Sequence, residues 1–108
     1  METINLEMAV FEIISFGGNA KSLFYEALNA AEDNDFEKAE ELMKEGSAEL
    51  NKAHNMQTKL IQYEINGGKM EKTLLLIHAQ DHLMTTISEQ SLIERLIKMN
   101  KKIMELSK

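Results

Sequence analysis

The 108-residue sequence contains neither cysteine nor proline. Without cysteine the chain has no disulfide, no thiolate zinc site and no nucleophilic thiol of its own. Without proline, no residue forces a helix to end. Aromatic residues make up only 6% of the chain, and its β-branched residues show no alternation of period two. Because Glu, Lys, Leu, Ala and Met are abundant, this composition predicts an all-α protein.

Long apolar runs are also missing. No stretch reaches the roughly 18 apolar residues needed to cross a bilayer. The first five residues, METIN, lack the basic region with which a secretory signal begins. We therefore expect a cytoplasmic protein with no direct insertion into a membrane.

Positive charge is in deficit. Twelve basic residues face eighteen acidic ones, which gives a formal net charge of -6. Nucleic-acid binding normally requires a basic stripe, because neutralisation of phosphates supplies most of the affinity. The densest basic cluster, Lys98, Lys101 and Lys102, is interleaved with apolar residues and is interpreted as a helix end that complements its dipole. We expect no nucleic-acid partner.

Two breaks divide the chain. Asn34, followed three residues later by Glu37, is predicted to be an N-cap of capping-box type. The segment Asn66-Gly67-Gly68 supplies left-handed residues that end a helix. A single domain spanning 1–108 is therefore predicted to contain helices at about 4–32, 35–65 and 70–106. The short connections predict an antiparallel up-down-up hairpin of three helices.

The pair Gly17-Gly18 lies inside the first predicted helix. Each glycine weakens a helix interior by about 1 kcal/mol relative to alanine. A continuous or kinked helix is favoured, and the alternative is a break that lets another backbone approach closely. Gly46 raises the same question.

Apolar spacing distinguishes the second and third helices. In the second helix, apolar residues recur in steps of three and four, so one face packs against the other helices. In the third helix the four consecutive residues Leu74 to Ile77 cover most of the circumference. Since each helix of a lone three-helix hairpin keeps an outward side, this run predicts self-association, with closed cyclic symmetry as the default.

Two of the three histidines, together with an aspartate, lie in the segment IHAQDHLMTT. His78, Asp81 and His82 stand at positions i, i+3 and i+4 of a helix, within side-chain reach of one another. Asp81 is predicted to point inward on the apolar seam, between Ile77 and Met84. The two histidines are predicted to flank that surface, about 40° apart.

Several chemistries compete for this segment. A buried carboxylate needs a partner, and a hard divalent cation such as Mg²⁺ would supply one. A zinc protease is excluded, because the residue after His78 is Ala79 where that motif requires glutamate. Neutral imidazole is also a nucleophile towards phosphorus, with His82 or Gln80 as donors to the phosphate oxygens. The isolated His54 is more simply a surface or core residue.

Four segments in order resemble one family. They are ISFGGNAKSLFYEAL, DFEKAEELM, AHNMQTKLIQ and HAQDHLM, and they extend over essentially the whole chain. All are similar to segments of the lactose/cellobiose-type enzyme IIA components of the bacterial phosphoenolpyruvate-dependent sugar phosphotransferase system. At position 21 this chain has lysine, where the family pattern has arginine as often. Both side chains are basic, so the charge is the same.

The resemblance implies that His78 carries a phosphoryl group as an Nε2 phosphohistidine, which makes the chain a phosphotransferase component. The donor would be HPr and the acceptor a cysteine of the cognate enzyme IIB, during uptake of a lactose-, cellobiose- or chitobiose-type sugar. The resemblance also implies a homotrimer, a nine-helix bundle, in which Asp81 binds one Mg²⁺ or another divalent cation per trimer. Gln80 and His82 would support the phosphohistidine.

Two other interpretations stay open on the residues alone. A non-catalytic helical adaptor would use the apolar seam to bind partner helices, and His78 would then be dispensable. A metal-binding oligomer would use Asp81 and His82 structurally and would transfer no phosphoryl group.

Overall fold

The computed structural model of the protein describes residues 5–108 and consists of three long helices: α1 (Leu6–Glu32), α2 (Phe36–Ile65) and α3 (Leu74–Leu106). No strand occurs among these residues, so the predicted all-α class is confirmed. The helices pack side by side into a rod of 60 × 19 × 19 Å. None of the helices in this part of the chain is long and apolar enough to cross a membrane.

The turn between α1 and α2 corrects one prediction. Asn34 is not the N-cap of α2: it adopts a positive φ of 64° and ends α1. Its N–H donates to the carbonyl of Ala31, and the N–H of Asp35 donates to the carbonyl of Ala30, which together form a Schellman motif. Asp35 then acts as the N-cap, since its carboxylate accepts from the N–H of Lys38. No capping box is formed with Glu37, because the left-handed turn moves the cap one residue along the chain.

The end of α2 follows the prediction. Gly67 has a φ of 93°, and its N–H donates to the carbonyl of Glu64. The N–H of Gly68 donates to the carbonyl of Tyr63, which completes a second Schellman motif.

The third helix begins later than predicted. Its N-cap is Thr73, whose hydroxyl accepts from the N–H of Leu76, so α3 starts at 74 and not at 70. The first predicted helix was placed from residue 4, which lies outside the described residues; α1 starts at Leu6 with Asn5 as its cap. Because α3 continues to Leu106, its last turn holds no basic residue. The interpretation of Lys98, Lys101 and Lys102 as charges at a helix end is therefore wrong, since the dipole effect is confined to the last turn.

Side-chain contacts fix the register of the helices. Glu89 of α3 contacts both Lys21 and Tyr25 of α1. On the other side of α3, Gln90 donates to the hydroxyl of Ser47 of α2 at 2.7 Å. Thus α3 presents one side to α1 and another to α2, and its third side faces outward.

The buried residues form two clusters along the rod, and the partly buried Met43 and Ile97 pack against both. The largest fully buried side chains are Phe24, Ile13, Leu83 and Thr86. The buried residues of α2 largely follow the expected spacing and are Ala39, Gly46, Leu50, Ala53, Gln57 and Leu60. Gly46 allows close packing, because a Cβ atom there would lie 2.5 Å from Cε1 of Phe24.

The glycine pair of α1 does not interrupt that helix, so the favoured interpretation of a continuous helix is confirmed. Gly18 has nothing within 4 Å of a built Cβ atom, whereas Gly46 has the Phe24 ring in that space. We expect Gly18→Ala to raise the free energy of unfolding by about 0.5–1 kcal/mol through helix propensity. We expect Gly46→Ala to lower it by about 1–3 kcal/mol through overpacking. Urea denaturation of the two variants measures both effects, and a stabilised Gly46→Ala protein would contradict the packing described.

Candidate functional site

The segment IHAQDHLMTT, in which the sequence predicts a reactive histidine, lies in the N-terminal third of α3. We call it the reactive segment. His78 and Asp81 are exposed in the single chain, and His82 is half-buried. The rings of His78 and His82 lie 6.3 Å apart between centroids and are tilted by 43°. The helix therefore places both imidazoles on neighbouring positions of one side, as the spacing predicts, with His78 open to an approaching protein.

His82 packs against the backbone of α1. A Cβ atom added at Gly17 would lie 3.5 Å from Nδ1 of His82, so the ring packs directly over this glycine. Nδ1 is buried and has no hydrogen-bond partner among the described residues. The backbone carbonyl of His82 accepts a second hydrogen bond within the helix, from the hydroxyl of Thr86 at 2.8 Å. The other ring nitrogen, Nε2, is not buried in this way.

Asp81 departs from the sequence expectation in the single chain. It does not point into the three-helix core: it is exposed, between Ile77 and Met84, which are 55% and 52% exposed. The reason is that the predicted seam faces outward from α3. We call this seam the α3 stripe; it consists of Asp81 together with Leu74, Ile77, Met84, Leu92, Leu96, Met99, Ile103 and Leu106, all large apolar side chains left exposed.

Gln80 lies on the opposite side of the α3 stripe from His78. Residues two positions apart in a helix point in directions that differ by about 200°, so Gln80 and His78 of one chain do not face each other. Gln80 instead contacts α2, where its Oε1 accepts from Nε2 of Gln57 at 3.2 Å. Gln57 is buried on α2, and no motif of the sequence marks it as a functional residue.

No metal site is complete within the described chain. Among residues 5–108, no group of three or more His, Asp or Glu side chains is arranged to hold an ion. Asp81 is the only carboxylate of the α3 stripe. His54 lies exposed on α2, outside the reactive segment.

A second polar cluster lies farther along the groove between α1 and α3. Glu89 accepts a short hydrogen bond from the hydroxyl of Tyr25, and its other oxygen lies 3.6 Å from Nζ of Lys21. The hydrogen bond to Glu89, followed by the negative charge of that carboxylate and by desolvation, raises the pKa of Tyr25 above its usual value of 10.0. Tyr25 therefore stays a neutral donor at physiological pH, and the cluster joins the two helices.

A family of known proteins matches most of this chain. The family model for the lactose/cellobiose-specific IIA subunit of the PTS system matches residues 8–101. The chain belongs to this family. The match includes all of α2 and the whole of the reactive segment of α3.

Relatives of this IIA chain are similar over nearly their full length. The lichenan-specific phosphotransferase enzyme IIA component of Bacillus subtilis is 43% identical over 100 residues, covering 93% of this chain and 91% of the relative. The N,N'-diacetylchitobiose-specific EIIA component of Escherichia coli K12 is 43% identical over 102 residues, covering 94% and 88%. The lactose-specific EIIA component of Staphylococcus epidermidis is 40% identical, covering 94% and 98%.

Solved structures agree with this assignment. The cellobiose-specific enzyme IIA of Bacillus anthracis superposes with a TM-score of 0.91 at 39% identity, covering 96% of this chain and 95% of that one. The chitobiose IIA in a solution complex with HPr, from the Escherichia coli phosphotransferase system, superposes with a TM-score of 0.80 at 42% identity, covering 94% and 98%.

Proposed function

We propose that this IIA chain is a phosphocarrier that accepts a phosphoryl group from phospho-HPr on Nε2 of His78. The observation that supports this most is the exposure of His78 on a rigid helix, within a segment that belongs to the family match. A neutral imidazole nitrogen attacks phosphorus, the new N–P bond forms, and the bond from phosphorus to its donor atom on HPr breaks. HPr is the proposed donor because a structural relative is a IIA–HPr complex.

The second half-reaction passes the group onward. The proposed acceptor is a cysteine thiolate of the cognate enzyme IIB, whose sulfur forms the new bond to phosphorus while the bond to His78 breaks. The chain itself contacts no sugar. The sugar it serves is of the lactose, cellobiose or chitobiose type, since the relatives are specific for lactose, lichenan and diacetylchitobiose.

His82 supplies a hydrogen-bond donor near the phosphoryl group. With Nδ1 buried against Gly17, the ring nitrogen open to a partner is Nε2. A donor placed there stabilises the oxygens of the transferring group, which carry most of the charge. Packing of the ring against Gly17 restricts its movement, which limits the reorganisation needed during transfer.

The experiment is phosphorylation by the preceding components. The protein is incubated with phosphoenolpyruvate, enzyme I and HPr, and intact mass is measured under alkaline conditions that preserve phosphohistidine. One added phosphoryl group per chain is expected. If HPr is phosphorylated in the same reaction and this protein gains no mass, the result contradicts the proposal.

The α3 stripe supports a second part of the proposal. We propose that three antiparallel up-down-up hairpins assemble about a three-fold axis, with the α3 helices innermost. Exposed apolar side chains follow one another along nearly the whole of α3, and a stripe of that length on a monomer marks an interface. Three helices packed on it form the centre of a nine-helix homotrimer.

The same arrangement would complete a metal site. A single Asp81 cannot hold an ion, but a three-fold axis at the α3 stripe brings three copies of this carboxylate together. Carboxylate oxygens suit a hard cation, so the donor set fits one Mg²⁺ or another divalent ion per trimer. When bound, the ion would neutralise the like charges that otherwise repel each other in an apolar setting.

A further inference from the structure

Gln57 is a buried polar side chain beside the reactive segment. It lies on the core face of α2 and is only 7% exposed. An apolar side chain would fill this position equally well. Its Nε2 lies 3.2 Å from Oε1 of Gln80 and 3.7 Å from Sδ of Met84. Burial of an amide costs free energy unless its donors are used, and Gln57 directs its amino group at two α3 side chains, Gln80 and Met84, that both lie on the α2 side of Asp81.

The direction of this hydrogen bond follows from the chemistry of its partners. The oxygen and nitrogen ends of an amide have nearly the same shape, so the surroundings decide which end faces where. The thioether of Met84 accepts hydrogen bonds and cannot donate them. Gln57 therefore turns its amino group towards α3, and Gln80 must meet it with its oxygen. The amino group of Gln80 is left facing away from α2.

Gln80 is half-buried, so part of its side chain is open to solvent. Gln80 lines an open groove between α2 and α3 together with Leu60, Ile61, Met70 and Ile77. His78 and Gln80 lie on opposite flanks of the α3 stripe, about 80° to either side of its centre. In a cyclic assembly packed on that stripe, opposite flanks of neighbouring copies meet. The amino group of Gln80 then lies beside His78 of the next copy.

We propose that Gln57 is a positioning residue for phosphoryl transfer. By binding the oxygen of Gln80, it turns the amino group of Gln80 towards the phosphoryl group on His78 of a neighbouring copy. Phosphoryl oxygens only accept hydrogen bonds, so the reversed amide would set oxygen against oxygen. This role rests on the proposed phosphocarrier function and on the assembly through the α3 stripe.

Gln57→Glu is the informative substitution. A glutamate of nearly the same shape accepts from Gln80 and cannot donate to it, so the amide of Gln80 reverses. Gln57→Met keeps the volume and removes the hydrogen bond without adding charge, which leaves the Gln80 amide free to turn. Gln62→Glu, at an exposed position of α2, adds the same charge away from Gln80 and serves as the control.

The measurement is single-turnover transfer from phospho-HPr, at increasing HPr concentration. We expect the saturating rate constant to fall about tenfold or more in Gln57→Glu and roughly threefold in Gln57→Met, with the half-saturating HPr concentration unchanged. Gln62→Glu should match the parent. In a Gln80→Ala background, itself slowed, neither change at position 57 should have a further effect.

Two results would overturn this role. One is an unchanged rate in Gln57→Met, which keeps the core volume and should fold. The other is an equal loss from Gln57→Met with and without Gln80, which would show that Gln57 does not act through that amide. Both presuppose that the parent protein is phosphorylated; a parent that takes up no phosphoryl group contradicts the phosphocarrier function itself.

Discussion

Replacement of His78 by alanine is expected to abolish phosphoryl transfer, with a loss of at least about 1,000-fold. The physical reason is that no second nucleophile of the right kind is in place. His82 is half-buried against α1, His54 lies on α2 outside the reactive segment, and the chain contains no cysteine. Removal of a residue that forms the covalent intermediate costs far more than removal of a residue that supports it.

The other two histidines supply matched comparisons. His82→Ala removes a proposed donor to the phosphoryl oxygens, and we expect a partial loss of about tenfold. His54→Ala changes the same side chain at an exposed position of α2 and should leave transfer intact. Rates of transfer from phospho-HPr to the four proteins test this order. Transfer at the parental rate by His78→Ala would favour a helical adaptor in which this residue is dispensable.

Introduction of a charge into the α3 stripe is expected to dissociate the assembly. Leu92 is 61% exposed in the single chain and lies about 14 residues along α3 from His78. In Leu92→Asp, each copy would bury an unpaired carboxylate at the axis, beside the like charges of its neighbours. A penalty of several kcal/mol per copy far exceeds what a moderate association can absorb. We expect a trimer in the parent and a monomer in the variant.

Sedimentation velocity measures this effect, with circular dichroism to check that the helices persist. Ala48→Asp places the same charge on an exposed position of α2 and serves as the control, with the parental mass expected. A parent that sediments as a monomer at all concentrations would contradict the proposed assembly and, with it, the shared metal site. A Leu92→Asp protein that remains trimeric would show that the α3 stripe is not the interface.

Much of the fold is predictable because local signals and helix periodicity agree. The Gly67 turn ends α2 where the sequence places it, since glycine adopts a positive φ at little cost. The predicted role of Asn34 as an N-cap is wrong for a related reason. Asparagine favours both N-caps and left-handed turns, and only the neighbouring hydrogen bonds decide between them. The predicted start of α3 is too early, because residues 70–73 are compatible with a helix. Thr73 marks the helix start less strongly than a proline would.

The relative placement of the candidate residues on α3 was predictable, but their contacts with other helices were not. Helix spacing placed His78 and His82 on one side, as observed. It could not show that Asp81 is exposed in the single chain, because an apolar seam looks the same whether it faces its own bundle or another copy. The bond between Gln57 and Gln80 joins two helices, and no pattern within either helix predicts it.

The central claim is that a phosphoryl group is carried on one atom, Nε2 of His78. The measurement that tests it most directly is the long-range ¹H–¹⁵N spectrum of the histidine rings after phosphorylation by phosphoenolpyruvate, enzyme I and HPr. We expect a shift of Nε2, with coupling to phosphorus, in one ring alone, and the loss of that signal in His78→Ala. Phosphorus coupled to a nitrogen of His82 or His54, or to no ring nitrogen, would contradict it.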